Sequence, residues 1–276
     1  MRARALIRHA TALAALSALG TGALAAQQDD ADWKADCQQR DHFGDNREGY
    51  CEVRVSGFAA RGGRITVDPG RNNGVEFIGW DRDSVSVHAR IQAGAGSADD
   101  ARALAGRVQI VSAPSGILAQ GPDNRRRESW SVNFVVYVPR RSDLAAHTEN
   151  GPLGVTGVTG RMELQTVNGP LGLTDVGGDV RARAENGPLE VALGGHRWDG
   201  QGLDAETVNG PLALSIPSDY SARLETGTVN GPMSVDFPIT MTVQGRLTRR
   251  LSTVLGSGGP TVRAVTTNGP VEISRR

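Results

Sequence analysis

The residues of this chain that could do chemistry begin with two cysteines, Cys37 and Cys51, which enclose a short polar segment. In an exported protein such a pair is expected to form a disulfide. The alternative is a metal site that uses both thiols and His42, but this arrangement fits no standard zinc-ligand spacing. The sequence therefore predicts a Cys37–Cys51 disulfide and no metal site.

The histidines offer little further chemistry. His88, His147 and His196 lie in separate segments, and no two of them have a metal-ligand spacing. We expect His88 and His147 to pack at a surface or a strand edge. The chain also has no nucleophile elbow, phosphate loop or dinucleotide fingerprint. We therefore predict no catalytic residue, no cofactor and no metal ligand.

Carboxylates in the second half raise the remaining enzymatic alternative, a polysaccharide-active β-helix enzyme that is a lyase or a glycoside hydrolase. Such an enzyme needs carboxylates from successive repeats to converge on one face. Glu163, Glu185, Glu206 and Glu225 do not all share one position in the repeat, and arginines alternate with them. The pattern favours a charge-balanced solvated face.

The positions of these charges follow from an internal repeat, Asn-Gly-Pro plus an aliphatic residue, which occurs six times. The asparagines are Asn150, Asn168, Asn186, Asn209, Asn230 and Asn268. A fixed period near 20 residues indicates stacked repeats that bury their core against their neighbours.

Alignment on the asparagine shows columns of small or apolar residues, mostly threonine two positions before it and an aliphatic three positions after it. The alternation predicts that these columns face inward, and by parity that the asparagine faces inward as well. Stacked inward asparagines would form a ladder of amide hydrogen bonds. Glycine would permit the backbone angles of the corner, and proline would fix its exit.

These patterns predict an all-β fold. We expect a β-solenoid or β-helix-like stack over 143–276, with a sandwich of stacked hairpins as the alternative architecture. An N-terminal β region over 51–142 should contain one short helix near 98–107, capped by Ser97. The apolar strand from Trp130 to Val138 should be covered on both faces.

The repeat breaks at two places. The segment 194–202 carries His196, Arg197, Trp198 and Asp199, which form a candidate binding loop because exposed aromatics on loops often contact ligands. The alternative is that Trp198 folds back onto the repeat. The second break lies at 237–260.

The N-terminus indicates export. Residues 1–25 have arginines, a short apolar run and an Ala-x-Ala site, as in a secretory signal peptide, and 26–50 form a polar lead-in with the disulfide loop. With 30 basic and 30 acidic residues, the chain has no charge that would attract nucleic acid. We expect a periplasmic or surface protein without a transmembrane segment after cleavage.

Three features carry a family resemblance: Cys-Glu-Val-Arg at 51–54, Gly-Trp-Asp-Arg-Asp at 79–83 and the repeated Thr-x-Asn-Gly corners. They resemble the putative adhesin family of bacterial β-strand-repeat domains over roughly 50–276. The proline after each corner glycine departs from the small residue expected there. The resemblance implies adhesion or envelope scaffolding without catalytic residues. Its partners would be an envelope protein or glycan, or a second copy of the chain.

Overall fold

The computed structural model describes residues 21–39, 47–236 and 249–276. These residues form two α-helices and twenty β-strands, arranged in two sheets of ten strands each. The predicted signal peptide lies largely outside the described residues, as do His42 and most of the predicted disulfide loop. The fold is mostly β, as the sequence predicts.

The N-terminal elements come in the order helix, four strands, helix and three strands. They are α1 (Thr21–Gln39), β1 (Glu48–Ala59), β2 (Arg64–Asp68), β3 (Val75–Trp80), β4 (Ser84–Ala95), α2 (Ala98–Gly106), β5 (Gln109–Ala113), β6 (Gly116–Gln120) and β7 (Ser129–Pro139). Helix α2 matches the predicted short helix, and the Ser97 hydroxyl accepts a hydrogen bond from the Asp100 backbone N–H at its start.

The repeat region contains only strands among its described residues. They are β8 (Asp143–Asn150), β9 (Leu153–Thr156), β10 (Thr159–Asn168), β11 (Leu171–Thr174), β12 (Gly177–Asn186), β13 (Leu189–Ala192), β14 (Gly202–Asn209), β15 (Leu212–Ile216), β16 (Ala222–Asn230), β17 (Met233–Val235), β18 (Arg250–Leu255), β19 (Thr261–Asn268) and β20 (Val271–Arg275). Each Asn-Gly-Pro corner joins a longer strand to a shorter one.

The two strands of each corner belong to different sheets. Sheet A has the order β1-β4-β7-β3-β9-β11-β13-β15-β20-β17, and sheet B has the order β18-β16-β19-β14-β12-β10-β8-β2-β6-β5. Strands of neighbouring repeats pair in parallel, with Met162 opposite Val180 in sheet B and Leu171 opposite Leu189 in sheet A. The layers resemble a sandwich of two stacked sheets, and the described strands do not close into a barrel.

The core lies between the two sheets and contains the predicted inward columns. The aliphatics after five of the six prolines are at most 1% exposed: Leu153, Leu171, Leu189, Leu212 and Val271. The threonines two positions before the corner are buried as well, with Thr166 and Thr207 at 0%. The repeat pattern of the sequence therefore predicts the buried aliphatic and threonine columns correctly.

Helix α1 differs from the predicted polar lead-in. It begins within the predicted signal peptide and carries Ala26, which is buried against Val135 and Tyr137 on the outer side of β7. Val136 and Phe134 of the same strand face the core between the sheets. The two-sided apolarity of this strand thus has a physical cause, because a helix covers its second face. The polar sequence of α1 gives little sign of this contact.

The disulfide is confirmed. Cys37 at the end of α1 is bonded to Cys51 in β1, and both are buried. Since both sulfurs are in this bond, they cannot serve as the thiolate ligands of the alternative metal site. The disulfide fixes α1 to the edge of sheet A.

No helix among residues 21–39, 47–236 and 249–276 is long and apolar enough to cross a membrane.

Candidate binding surfaces

The six corner asparagines form a chain of amide hydrogen bonds along one side of the molecule. Asn168 donates to Asn150 at 2.8 Å, and Asn186 donates to Asn168 at 3.0 Å. Asn72, which belongs to no Asn-Gly-Pro corner, accepts from Asn150 at 3.1 Å. The remaining links are Asn209 to Asn186, Asn268 to Asn209 and Asn230 to Asn268, at 2.8–2.9 Å.

The predicted inward orientation of these asparagines is wrong. Thr166 is buried, Val167 is half-buried and Asn168 is exposed, so the inward and outward alternation ends two residues before the corner. Parallel repeats stack at about 4.8 Å, which suits amide pairing on an exposed side as well as in a core. The asparagines therefore connect the repeats in solvent, and the polar residue buried at the corner is threonine.

The corner glycines are needed for close approach rather than for unusual backbone angles. None of the six corner glycines is among the residues with positive φ. A Cβ atom on Gly187 would lie 2.0 Å from the Gly169 carbonyl oxygen, and one on Gly210 would lie 1.9 Å from that of Gly187. The corners stack so tightly that no side chain fits between them.

Proline and threonine act together at most corners of the repeat. In a parallel ladder the donor for the Gly187 carbonyl would be the N–H of residue 211, but Pro211 has none. The Thr207 hydroxyl donates to that carbonyl instead, at 2.8 Å. Thr266 and Thr228 do the same for Gly210 and Gly269 at 2.8 and 2.9 Å. The buried threonines thus replace donors that proline removes, except at the Asn186 corner, where Ala184 offers the Gly169 carbonyl no hydroxyl.

The solvent-facing side of sheet B carries a broad, shallow groove of about 580 Å³. Residues of β2, β8, β10, β12 and β14 line it, and these neighbouring strands pair in parallel. Its polar lining includes His147, Glu163, Gln165, Arg181, Arg183, Asp204 and Glu206. The polar residues of the groove lie two positions apart on each strand, so their side chains point to the same side of the sheet.

Arginines pair with the carboxylates of this groove. Arg64 lies 2.8 Å from Glu163, and Arg183 lies 3.3 Å from Glu206. Arg263 reaches both Asp204 and Glu206. Arg183 and Arg263 pair across neighbouring strands, and Arg64 pairs across the one intervening strand β8. The charged face is therefore balanced, as the alternating sequence predicts. The carboxylates come together more than the sequence suggests, because strands that are distant in the chain are neighbours in the sheet.

A second groove of about 640 Å³ continues along the same face over β16, β18 and β19. Glu206 lines both grooves, and Arg263 lines the second groove and pairs with Glu206. Glu225 and Arg250 add charged groups to the second groove. The polar face therefore extends across much of sheet B. We name this surface, formed by both grooves, the B face.

Sheet A has a smaller groove of about 400 Å³ beside α1, lined by Trp33, Glu76 and Arg90 among others. Arg90 forms ion pairs with Asp29 and Asp30 of α1. Burial raises the pKa of Glu76, and the nearby Asp29 carboxylate raises it further. Sequence reasoning missed this site because nothing in the pattern places α1 over β4.

His88 differs from its expected place at a surface or a strand edge. It lies beneath α1 with only 5% of its area exposed, and its Nδ1 atom contacts the Asp30 carboxylate. Its ring also packs edge-on against Tyr137. His88 and Arg90 therefore hold α1 to the sheet.

The residues of the candidate binding loop at 194–202 differ in their exposure to solvent. Trp198 is 3% exposed, and its indole N–H donates to the Gly178 carbonyl at 3.0 Å. The alternative that Trp198 folds back onto the repeat is therefore confirmed, and Trp198 is not an exposed aromatic contact. His196 is exposed and contacts Asp219, while Arg197 and Asp199 are exposed or nearly so. A binding role for these three polar residues stays a prediction. The structure does not bring them into the B face.

Among the described residues, no group of three or more His, Cys, Asp or Glu side chains could hold a metal ion. The second break in the repeat lies largely outside the described residues, which resume at 249.

The fold and the B face define a class of protein: a β-strand-repeat protein with two stacked sheets and one polar face. No protein-family model matches the chain, and no curated protein matches it. It is similar to the crystal structure of a putative cell adhesion protein from Clostridium sporogenes, at 7% identity and a TM-score of 0.46, over 82% of this chain and 100% of that one.

A second similar structure is a putative adhesin from Bacteroides fragilis, at 10% identity and a TM-score of 0.32, over 82% of this chain and 97% of that one. A third is a putative adhesin from Parabacteroides merdae, at 9% identity and a TM-score of 0.26, over 80% and 96%.

Proposed function

We propose that this protein is an exported, non-enzymatic binding module of the bacterial cell envelope, of the adhesin kind, which holds its ligand on the B face. The observation that carries this proposal is the B face itself. It is a broad polar surface on largely parallel strands, and several of its charges are paired within the protein. Such a surface suits binding of a polar ligand without large changes in charge.

The ligand class that fits best is an envelope polysaccharide. Charged side chains recur on strand after strand at a spacing of about 4.8 Å, so the face offers a repeating set of donors and acceptors. A polymer with repeating hydroxyl groups can use such a set along its length. Paired arginines and carboxylates remain available to sugar hydroxyls, because a guanidinium has five N–H donors and a carboxylate has two acceptor oxygens.

We also propose that the repeats wind as a β-solenoid, in which the chain alternates between sheets A and B and advances by one strand per turn. Two observations support this winding. Neighbouring repeats from β8 to β15 pair in parallel in both sheets, and each Asn-Gly-Pro corner passes from sheet B to sheet A. The B face is then one side of the solenoid.

Export is part of the same proposal. The Cys37–Cys51 disulfide supports an oxidising compartment, because disulfides persist in the periplasm and outside the cell. The signal-peptide pattern of residues 1–25 agrees with this location. The test is mass spectrometry of the protein from a fractionated bacterial culture. We expect a mature N-terminus near residue 26 in the periplasmic or surface fraction, and a full-length cytoplasmic protein would contradict export.

Binding is tested by co-sedimentation and titration calorimetry with purified envelope polysaccharide. We expect Arg181→Ala combined with Arg183→Ala to weaken binding by about tenfold or more, which corresponds to ~1.4 kcal/mol. The matched control is Arg275→Ala, which removes an exposed arginine from a strand of sheet A. Equal binding by wild type and the double variant, or no binding by wild type, would contradict the proposal.

The second candidate function is a polysaccharide-active enzyme, because Glu163, Asp204 and Glu206 line one groove. Against it stands the pairing of all three with arginines, since a general acid must keep its proton near neutral pH. The test is prolonged incubation with the bound polysaccharide and analysis of chain length. Shortened chains that disappear with Glu206→Gln would favour the enzyme, and unchanged chains favour the binding module.

A further inference from the structure

The last strands of the chain do not follow their sequence order in space. In sheet B the order is β14-β19-β16, and in sheet A it is β15-β20-β17. The chain therefore leaves a space one strand wide between β14/β15 and β16/β17. The final strand pair, β19 and β20, fills this space, which we name the slot.

The final strand pair has neighbours on both sides in both sheets. In sheet B, β19 pairs in parallel with β14 and β16, and in sheet A, β20 pairs in parallel with β15 and β17. Val262, Ala264 and Ile273 are 0% exposed. The asparagine ladder also continues through Asn268 without a break. The slot therefore offers the strand edges and hydrogen-bonding groups that one Thr-x-Asn-Gly-Pro segment needs on both of its sides.

A short glycine-rich connection carries the chain into the slot. Strand β18 lies on the far side of β16, so residues 256–260 must cross over the start of β16 to reach β19. Gly256, Gly258 and Gly259 have φ values of 51°, 79° and 143°. The Pro260 carbonyl accepts the Arg223 N–H at 3.1 Å. This connection is a hinge, because it is the short link between two paired strands and it holds three unusual backbone angles.

We propose that the final strand pair exchanges between two copies of this chain, so that each copy fills the slot of the other. Every contact of β19 and β20 is kept in such an exchange, and only the hinge at 256–260 changes its path. The recognition chemistry is the one already described: parallel strand pairing, the threonine to glycine-carbonyl bonds and the amide ladder. A second copy is the partner that matches all three.

Cross-linking of full-length variants tests the exchange. One preparation carries Asn209→Cys and a second, differently tagged, carries Asn268→Cys. These positions are opposite each other in neighbouring parallel strands, at a spacing that permits a disulfide. The two preparations are mixed at high concentration, warmed below the melting temperature and oxidised. We expect a disulfide-linked dimer that carries both tags.

The matched control uses Asn168→Cys and Asn186→Cys, which are also opposite each other in neighbouring strands of the same ladder. Neither of these two repeats is the final strand pair of the chain, so their exchange between chains would require the repeat region itself to unfold. We expect at least ~tenfold less mixed dimer for this pair. Equal yields for both pairs, or no mixed dimer for the first pair, would overturn the proposal.

A hinge variant provides an independent measurement. Gly258→Ala places a side chain at φ 79°, and Gly62→Ala does so at φ 78° in a turn outside the hinge. Each substitution strains the backbone of its own turn. In an exchanged dimer the hinge straightens, which relieves the strain at residue 258 but not the strain at residue 62. We expect the dimer fraction in size-exclusion chromatography to rise ~tenfold for Gly258→Ala and to stay at the wild-type value for Gly62→Ala. The same dimer fraction for both variants would contradict a hinge at this position.

Discussion

Replacement of Thr207 by valine tests whether threonine compensates for proline at the corners. Valine has nearly the same shape, so the packing of this fully buried position is kept and only the hydroxyl is lost. The Gly187 carbonyl then loses its 2.8 Å hydrogen bond, and Pro211 cannot supply another donor. A carbonyl left without a partner away from water costs ~1–3 kcal/mol, so we expect the free energy of unfolding to fall by about 2 kcal/mol.

Urea denaturation followed by circular dichroism measures this change as a shift of the midpoint at constant slope. The control is Thr156→Val, because Thr156 lies in β9 with its side chain exposed. Both variants gain the same strand propensity of valine, so their difference isolates the buried hydroxyl. We expect the control to stay within ~0.5 kcal/mol of wild type.

A second substitution separates this reasoning from a simple packing effect. Pro211→Ala restores a backbone N–H that can donate to the Gly187 carbonyl. In the wild type this donor is redundant, whereas in Thr207→Val it replaces the lost hydroxyl. We expect the double variant to be more stable than the sum of the two single changes predicts, by ~1 kcal/mol. Strictly additive effects, or an unchanged midpoint for Thr207→Val, would refute the coupling of threonine and proline.

Three further perturbations follow from the same structure. Trp198→Ala should lower the free energy of unfolding by about 3–5 kcal/mol, because the side chain is buried and bonded; a loss below ~1 kcal/mol in urea denaturation would show that it is not core. Asn186→Leu should cost about 1 kcal/mol by the same assay, since its two amide bonds are exposed and its partners can turn to water; a loss above ~3 kcal/mol would indicate a buried ladder. Glu76→Gln should raise the melting temperature at neutral pH and change it little below pH 4.5, the ordinary pKa of a glutamate side chain. The reason is that burial makes the ionised form of Glu76 unfavourable in the folded state, which raises its pKa. The protein is therefore most stable while Glu76 is protonated, and it loses this stability as the pH rises through the raised pKa. An equal shift at both pH values, measured by calorimetry, would exclude this cause.

Much of the fold could be predicted from local patterns. The sequence predicted an N-terminal β region with one short helix, and strands β1 to β7 and helix α2 form this region. Ser97 identified the start of α2. The repeat period identified the inward aliphatic column. These features could be predicted because each depends on neighbours a few residues apart or on one repeat length.

The B face was predicted only in outline. The sequence shows that charges alternate and balance, but it does not show which strands become neighbours. Asp204 and Arg263 are 59 residues apart in the chain and form an ion pair because β19 lies beside β14. In the same way Asp30 reaches His88 only because α1 folds over β4.

The sequence by itself determined the repeat, its corners, the aliphatic core column and the disulfide pair, because these depend on residue type and spacing alone. The tertiary structure decided which way each corner residue faces. The corner asparagine is exposed because the inward and outward alternation ends before the corner. The corner glycine is required because the backbones of adjacent corners lie so close together that a Cβ atom would clash. It also decided that the final strand pair enters the slot between two earlier repeats. Spacing along the chain does not encode that order, because parallel pairing with either neighbour would satisfy the same pattern.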